Sequence, residues 1–309
     1  MKMRTKMYRQ ILSVMLAVLC LFGMTACGSK TAAPTETATE APAATTEAVT
    51  EAEAVSTETV DPDVQAIIDR GVLRVGVKNA VIGFGFQDPI TGEYSGMEID
   101  IANALAEQLG VDVEFTTVTA ATRTELLDSG DIDCVLATFT ITEERKQSWD
   151  FTTPYYTDHV TVLVEDTSGI KTLADLKDKL VGVSSGSTSA RALTSAMIDA
   201  GVVDGSGFSK DTFDAATWKE GVSFQQFDDY PGISTALAAG QVDAFCVDKS
   251  ILAVYKTEGR SYIADEFAPQ DYGIATKKDS GFSAYCESFI QDKLADGTID
   301  GLIANYNLG

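Results

Sequence analysis

Residues 131–156 read DIDCVLATFTITEERKQSWDFTTPYY, and the fold is decided there. The apolar run at 134–137 predicts a buried strand that ends in Thr138, Thr140 and Thr142. Glu143, Glu144, Arg145 and Lys146 then predict a short charged helix, and residues 150–156 an aromatic crossover. This order places hydroxyl donors at the carboxyl end of a strand, beside a helix N-terminus and a guanidinium. An open α/β sheet holds anions and small polar ligands at that position. An arginine there can meet a carboxylate with two parallel bonds. A surface arginine next to an N-cap would give the same string, so its meaning depends on the surrounding chain.

Working outward, the same alternation repeats. Residues 71–77 form a first strand with Lys78 and Asn79 at its end, and residues 83–92 read as a loop and a turn. Ile99, Ala102, Leu105 and Leu109 make a helical stripe closed by Gly110. A second strand at 111–118 leads to a loop carrying Arg123 and a short helix ending at Gly130. Beyond Tyr156 strands are expected at 160–164, 180–183, 222–227, 242–247 and 271–276, with helices between them. Such alternation predicts an α/β fold with mostly parallel sheets. Two more strand ends are polar: residues 184–189, which include Thr188, and residues 245–249, which include Asp248. Residues 184–189 lack the lysine and full glycine spacing of a phosphate loop. Each alone is what any helix start prefers. Taken together, Lys78, Arg123, Arg145 and Asp248 bring three cations and one anion to strand ends.

Composition narrows the function further. Lys2, Arg4, Lys6 and Arg9 precede an apolar run, 11–22, too short to span a membrane stably, and the segment closes on Cys27. Residues 1–27 therefore read as a lipoprotein signal peptide with Cys27 as the lipidated residue. Residues 28–60 are rich in Ala, Thr, Glu and Pro without an aromatic residue, which predicts a disordered tether. The formal charge of −23 argues against nucleic acid as a partner. With His159 as the sole histidine and no C-x-x-C, no metal site or cofactor is expected. Cys134, Cys246 and Cys286 are an odd number without paired spacing, and Cys134 and Cys246 lie in apolar strand patterns where a thiol packs as a small hydrophobe.

Four motifs carry a resemblance: Ser95-Gly96-Met97-Glu98-Ile99-Asp100-Ile101, the I-T-x-x-R ending at Arg145, Phe151-x-x-Pro154-Tyr155-Tyr156, and Asp271-Tyr272-Gly273-Ile274-Ala275. With residues 227–231 and 242–250, they make the run 71–309 resemble the extracellular solute-binding proteins of family 3, the polar amino-acid receptors of ABC importers, and within them the aspartate and glutamate branch. The resemblance implies a type II periplasmic-binding-protein-like fold of two lobes, 61–158 plus 274–309 and 159–273, joined by two crossover strands and closing on the ligand. It implies that Arg145 grips the ligand's α-carboxylate, that Thr138, Thr140 and Thr188 add bonds to the same ligand, and that Asp248 holds the α-ammonium. Lys78, Arg123 and Tyr230 match positions that receive a side-chain carboxylate. The implied partners are aspartate or glutamate and a membrane permease, for a monomer held outside the cell by lipid at Cys27. Glutamine or another polar amino acid is the alternative ligand. A cyclohexadienyl dehydratase-like enzyme is the rival class, opposed by the lack of an evident catalytic base. Glycines flank Phe84 where the family commonly has a bulkier Pro-Phe pattern, which bears on the aromatic lid over the ligand.

Overall fold

Asp61 accepts a bond from the Asp63 N–H and so caps α1 (Pro62–Arg70), a helix that Gly71 ends in left-handed geometry. The structure is a computed structural model and describes residues 60–309. The expected signal peptide, Cys27 and residues 28–59 of the tether lie outside the described residues. β1 (Val72–Val77) follows α1 directly. The stretch read as a loop and turn instead forms a small antiparallel sheet of β2 (Ala80–Val81), β3 (Gly85–Gln87) and β4 (Tyr94–Ser95). Two- and three-residue strands are too short to show a period of two, so the sequence pattern could not reveal them. α2 (Met97–Leu109) buries Ile99, Ala102, Leu105 and Leu109 against the sheet, and β5 (Asp112–Thr117) pairs parallel to β1.

α3 (Arg123–Ser129) begins at Arg123 itself, which was expected in the loop before it. β6 (Cys134–Leu136) lies parallel to β1 on its other side. The charged helix expected at 143–146 is a single 3-10 turn at Arg145–Gln147, because the chain must return at once to β7 (Trp149–Phe151). From there the chain crosses through residues 152–155 into β8 (Tyr156–Glu165), the long strand of a second sheet. That sheet adds β9 (Leu180–Ser184), α4 (Ser189–Asp199), β10 (Ser223–Phe227), α5 (Tyr230–Ala238), β11 (Ala244–Asp248), the single turn α6 (Lys249–Leu252) and β12 (Arg260–Tyr262). The strand expected at 271–276 is two: β13 (Phe267–Tyr272) pairs with β8, and β14 (Ala275–Lys277) pairs with β6 and β7 in the first sheet. Gly273 makes the step, since a Cβ there would sit 2.9 Å from the Ile141 side chain and 3.0 Å from the Thr152 carbonyl. α7 (Gly281–Ala295) and α8 (Thr298–Asn305) finish on the first sheet's side.

The first sheet runs β5-β1-β6-β14-β7 and the second β10-β9-β11-β8-β12, with β13 also on β8. Parallel pairs join β1 to β5 and β6, and β9 to β10 and β11, whereas β8, β13 and β14 add antiparallel ones. The sheets expected to be mostly parallel are thus mixed. A chain that leaves one sheet and returns to it must run the second crossing opposite to the first. The crossings meet where Tyr156 pairs with Tyr272, and Phe84 stands edge-on to both rings at 5.1 and 5.8 Å. Phe84 is completely buried there, so it belongs to the hinge core.

Candidate ligand cleft

The parallel strands of both sheets point their carboxyl ends at one gap. Lys78 follows the last residue of β1, Thr138 and Thr140 follow β6, Thr188 precedes α4 after β9, Tyr230 opens α5 after β10, and Asp248 ends β11. The polar groups that looked like separate helix caps therefore face each other. Neither Thr188 nor Asp248 makes a side-chain cap bond to its helix; at α5 the cap is Asp229, which accepts from Gly232 at 2.7 Å.

Lys78 is buried with its ammonium 5.4 Å from the centre of the Tyr230 ring. Arg123 is buried too, donates to the carbonyls of Ala137 and Thr138 at 2.9 and 3.2 Å, and stacks 3.8 Å from the Phe139 ring centre. Arg145 lies 4.6 Å from that ring's centre and is half-buried. Its guanidinium donates to the Thr140 carbonyl at 2.7 Å and, across the gap, to the Gly186 carbonyl at 3.0 Å. Thr140 and Thr188 approach from opposite sides and both donate to the Gln270 side-chain oxygen, at 2.9 and 2.7 Å. A Glu144–Arg191 pair at 2.6 Å closes the rim.

None of the three cations has an ion-pair partner within 4.0 Å among the described residues. Burial is the main cause that pushes the Lys78 ammonium well below its ordinary range, with the charge of Arg123 second. Burial likewise lowers Arg123, to about 10. It presses on Arg145 in the same direction, helped by Arg123 and Arg191. A guanidinium keeps its proton, so for the arginines the strain can be relieved only by an anion.

Across the gap Asp248 is buried, and its pKa is raised to about 7, first by burial and then by the charge of Asp158. The Tyr272 hydroxyl donates to Asp248 and, at 3.3 Å, to Asp158, which also receives the Ser250 N–H at 3.1 Å. Asp158 and Tyr272 lie in the crossover strands and were missed in the sequence, as was Gln270. Asp158 and Gln270 fall just outside the strands expected at 160–164 and 271–276, and Tyr272 stood only within a motif. Glu98 was quoted only as part of a motif, yet it is fully buried behind Thr138, whose N–H it accepts at 2.6 Å. The count of three cations against one acid therefore needs correction, since Glu98 and Asp158 join Asp248.

A cavity of about 30 Å³, the room of a single water, is lined by Lys78, Ser184, Asp229 and Tyr230, and a rim groove of about 600 Å³ by Phe139, Arg145, Thr188 and Arg191. A third cavity, about 890 Å³, lies behind the crossings against Tyr156, His159 and Leu308, away from every expected ligand-binding residue. Among the described residues no group of three or more His, Cys, Asp or Glu side chains is placed to hold a metal ion. Cys134, Cys246 and Cys286 are free and buried, and burial raises each thiol. Raised thiols are poor nucleophiles.

Residues 73–309 match the family model described as bacterial extracellular solute-binding proteins, family 3. A glutamine-binding protein of Geobacillus stearothermophilus is 34% identical over 73% of this chain and 79% of its own length. The glutamate-binding protein GluB of Corynebacterium glutamicum is 32% identical over 79% of this chain and 81% of its own. Among solved structures, an ancestral arginine-binding protein bound to arginine superposes with a TM-score of 0.64 at 33% identity, covering 77% of this chain and 98% of that one.

Proposed function

Because the chain belongs to the extracellular solute-binding proteins of family 3, an amino-acid receptor family of two-lobed type II fold, we propose that this cleft captures an acidic amino acid, aspartate or glutamate, for an ABC permease. The observation that carries the reading is the set of three cations, Lys78, Arg123 and Arg145, held in one cleft without an ion pair. A buried cation without a direct ion pair is tolerable when a ligand brings the counter-charge into contact. Arg145 takes the α-carboxylate with help from Thr138, Thr140 and Thr188. Lys78, Arg123 and Tyr230 take the side-chain carboxylate, and Asp248 takes the α-ammonium. The cations belong to elements of the first sheet and Asp248 to the second, so a zwitterion bridges the two jaws. The jaws are residues 61–158 with 274–309, and 159–273. A cationic side chain such as that of arginine would meet Lys78 and Arg123 head-on.

The two curated relatives are binding proteins, which favours a receptor over a dehydratase-like enzyme. Attachment outside the cell through lipid at Cys27, at the end of a signal peptide and before a tether, and work as a monomer complete the proposal. Glutamine is the second reading, favoured by the presence of an acid, Glu98, buried behind Thr138. Calorimetry with glutamate, aspartate, glutamine and arginine tests both. Glutamate or aspartate should bind tightest, and Arg145→Ala should cost about 3 kcal/mol, close to 100-fold in Kd. Parent-like binding by that variant, or arginine outcompeting the acids, sinks the assignment.

A further inference from the structure

Glu98 is the second residue of α2, a helix whose N-cap, Gly96, offers no side chain to the first turn. Its Oε1 accepts two bonds, from the Thr138 N–H and the Tyr155 hydroxyl, both at 2.6 Å. An oxygen that takes two donors carries no proton itself. The other oxygen, Oε2, is buried with no partner among the described residues. Buried carboxylate oxygens are rarely left bare. Thr138 is held from both sides: Glu98 takes its N–H while Arg123 donates to its carbonyl. Its backbone is in the left-handed region, φ 46°, which a threonine adopts only under such constraint. Glu98 and Arg123 are thus linked through one residue; burial raises the Glu98 carboxyl above its ordinary value, and the bonds from Tyr155 and Thr138, with the charges of Lys78 and Arg123, pull it back towards the anion. Neither cation reaches it to form an ion pair.

We propose that Glu98 is a specificity-determining residue: it discounts the positive charge that Lys78 and Arg123 present and so lets the cleft admit an amide side chain beside a carboxylate. The inference deepens the reading of the cleft as an acidic amino-acid site and rests on it. The carboxylate does not touch the ligand; Thr138 and Tyr155 stand around it, and its effect is carried by charge through a dry interior where screening is weak. A residue that only shaped Thr138 would change the affinities for glutamate and glutamine together. A residue that sets charge changes their ratio.

The test is calorimetry with glutamate and glutamine on the parent and on Glu98→Gln, which keeps the shape and an acceptor oxygen for Thr138 and Tyr155. The ratio of Kd for glutamine to Kd for glutamate should rise about tenfold in the variant, the order of one charge interaction in the interior. Should Glu98→Gln fail to fold, the charge-compensated pair Lys78→Met and Lys78→Met with Glu98→Gln gives the same comparison, because Arg123 remains to feel the missing acid. A ratio unchanged within twofold in a folded variant, even with both affinities lowered, overturns the inference and leaves the receptor reading intact. A parent that binds neither ligand overturns the receptor reading and this inference with it.

Discussion

Asp248 carries the pH dependence of the protein at the scale of a single residue. Its pKa, raised to about 7 by burial and by Asp158, lies above the ordinary carboxylate value. A raised acid contributes its stability below the unfolded value near 4 and loses it as pH climbs through about 7. The unliganded protein should therefore lose stability over that window from this group. An α-ammonium reverses the preference by favouring the anion, so ligand binding expels the proton. Affinity should fall as pH drops below about 7, approaching tenfold per unit, and calorimetry at pH 6 in two buffers of different ionisation heat should show close to one proton released. Affinity that is flat from pH 8 to 5.5 would remove Asp248 from the ammonium site. Asp248 could be read from the chain because it ends an apolar run. Asp158 could not, since its place beside Asp248 exists only through the pairing of β8 with β11 and β13.

Elements explain how the gap closes. Gly186 sits at φ 73° in the β9–α4 turn, and a Cβ there would come within 2.7 Å of the Ala120 carbonyl on the opposite jaw. Its own carbonyl is the one Arg145 reaches. Gly186→Ala should thus cost roughly 1 kcal/mol of folding stability from left-handed strain but weaken ligand binding more, by tenfold or above. Denaturant unfolding without ligand and calorimetry with glutamate separate the two, and equal losses would place Gly186 outside the closing contact. Glycine at 184–189 was legible as part of a strand-to-helix junction. That it lies under the other jaw was not, because residues 120 and 186 are brought together by the crossings. The split of 271–276 into β13 and β14 has the same cause: a continuous extended pattern hides the step at Gly273 between sheets.

At the scale of the molecule, one apolar cluster runs through the hinge from Leu73 and Leu105 to Phe245 and Ile251, with Phe84, Tyr155 and Tyr272 between. The proposed closure would turn the two jaws as rigid bodies about the crossings. Saturating glutamate should shrink the radius of gyration in solution scattering and, at 100 times its Kd, add about 2.7 kcal/mol of stability read as a raised melting temperature. A radius unchanged by a ligand that does raise the melting temperature would refute closure while leaving binding in place. The sequence by itself determined the alternation of strand and helix, the strand-end positions of Lys78, Thr138, Thr188 and Asp248, and the family, because apolar periodicity and short motifs are local. Only the tertiary structure decided that Glu98 and Asp158 belong to the same cleft, that Phe84 is hinge core, and that two sheets exchange strands. Those facts depend on residues far apart in the chain meeting in a dry interior, where a buried charge acts over distances that no local pattern records.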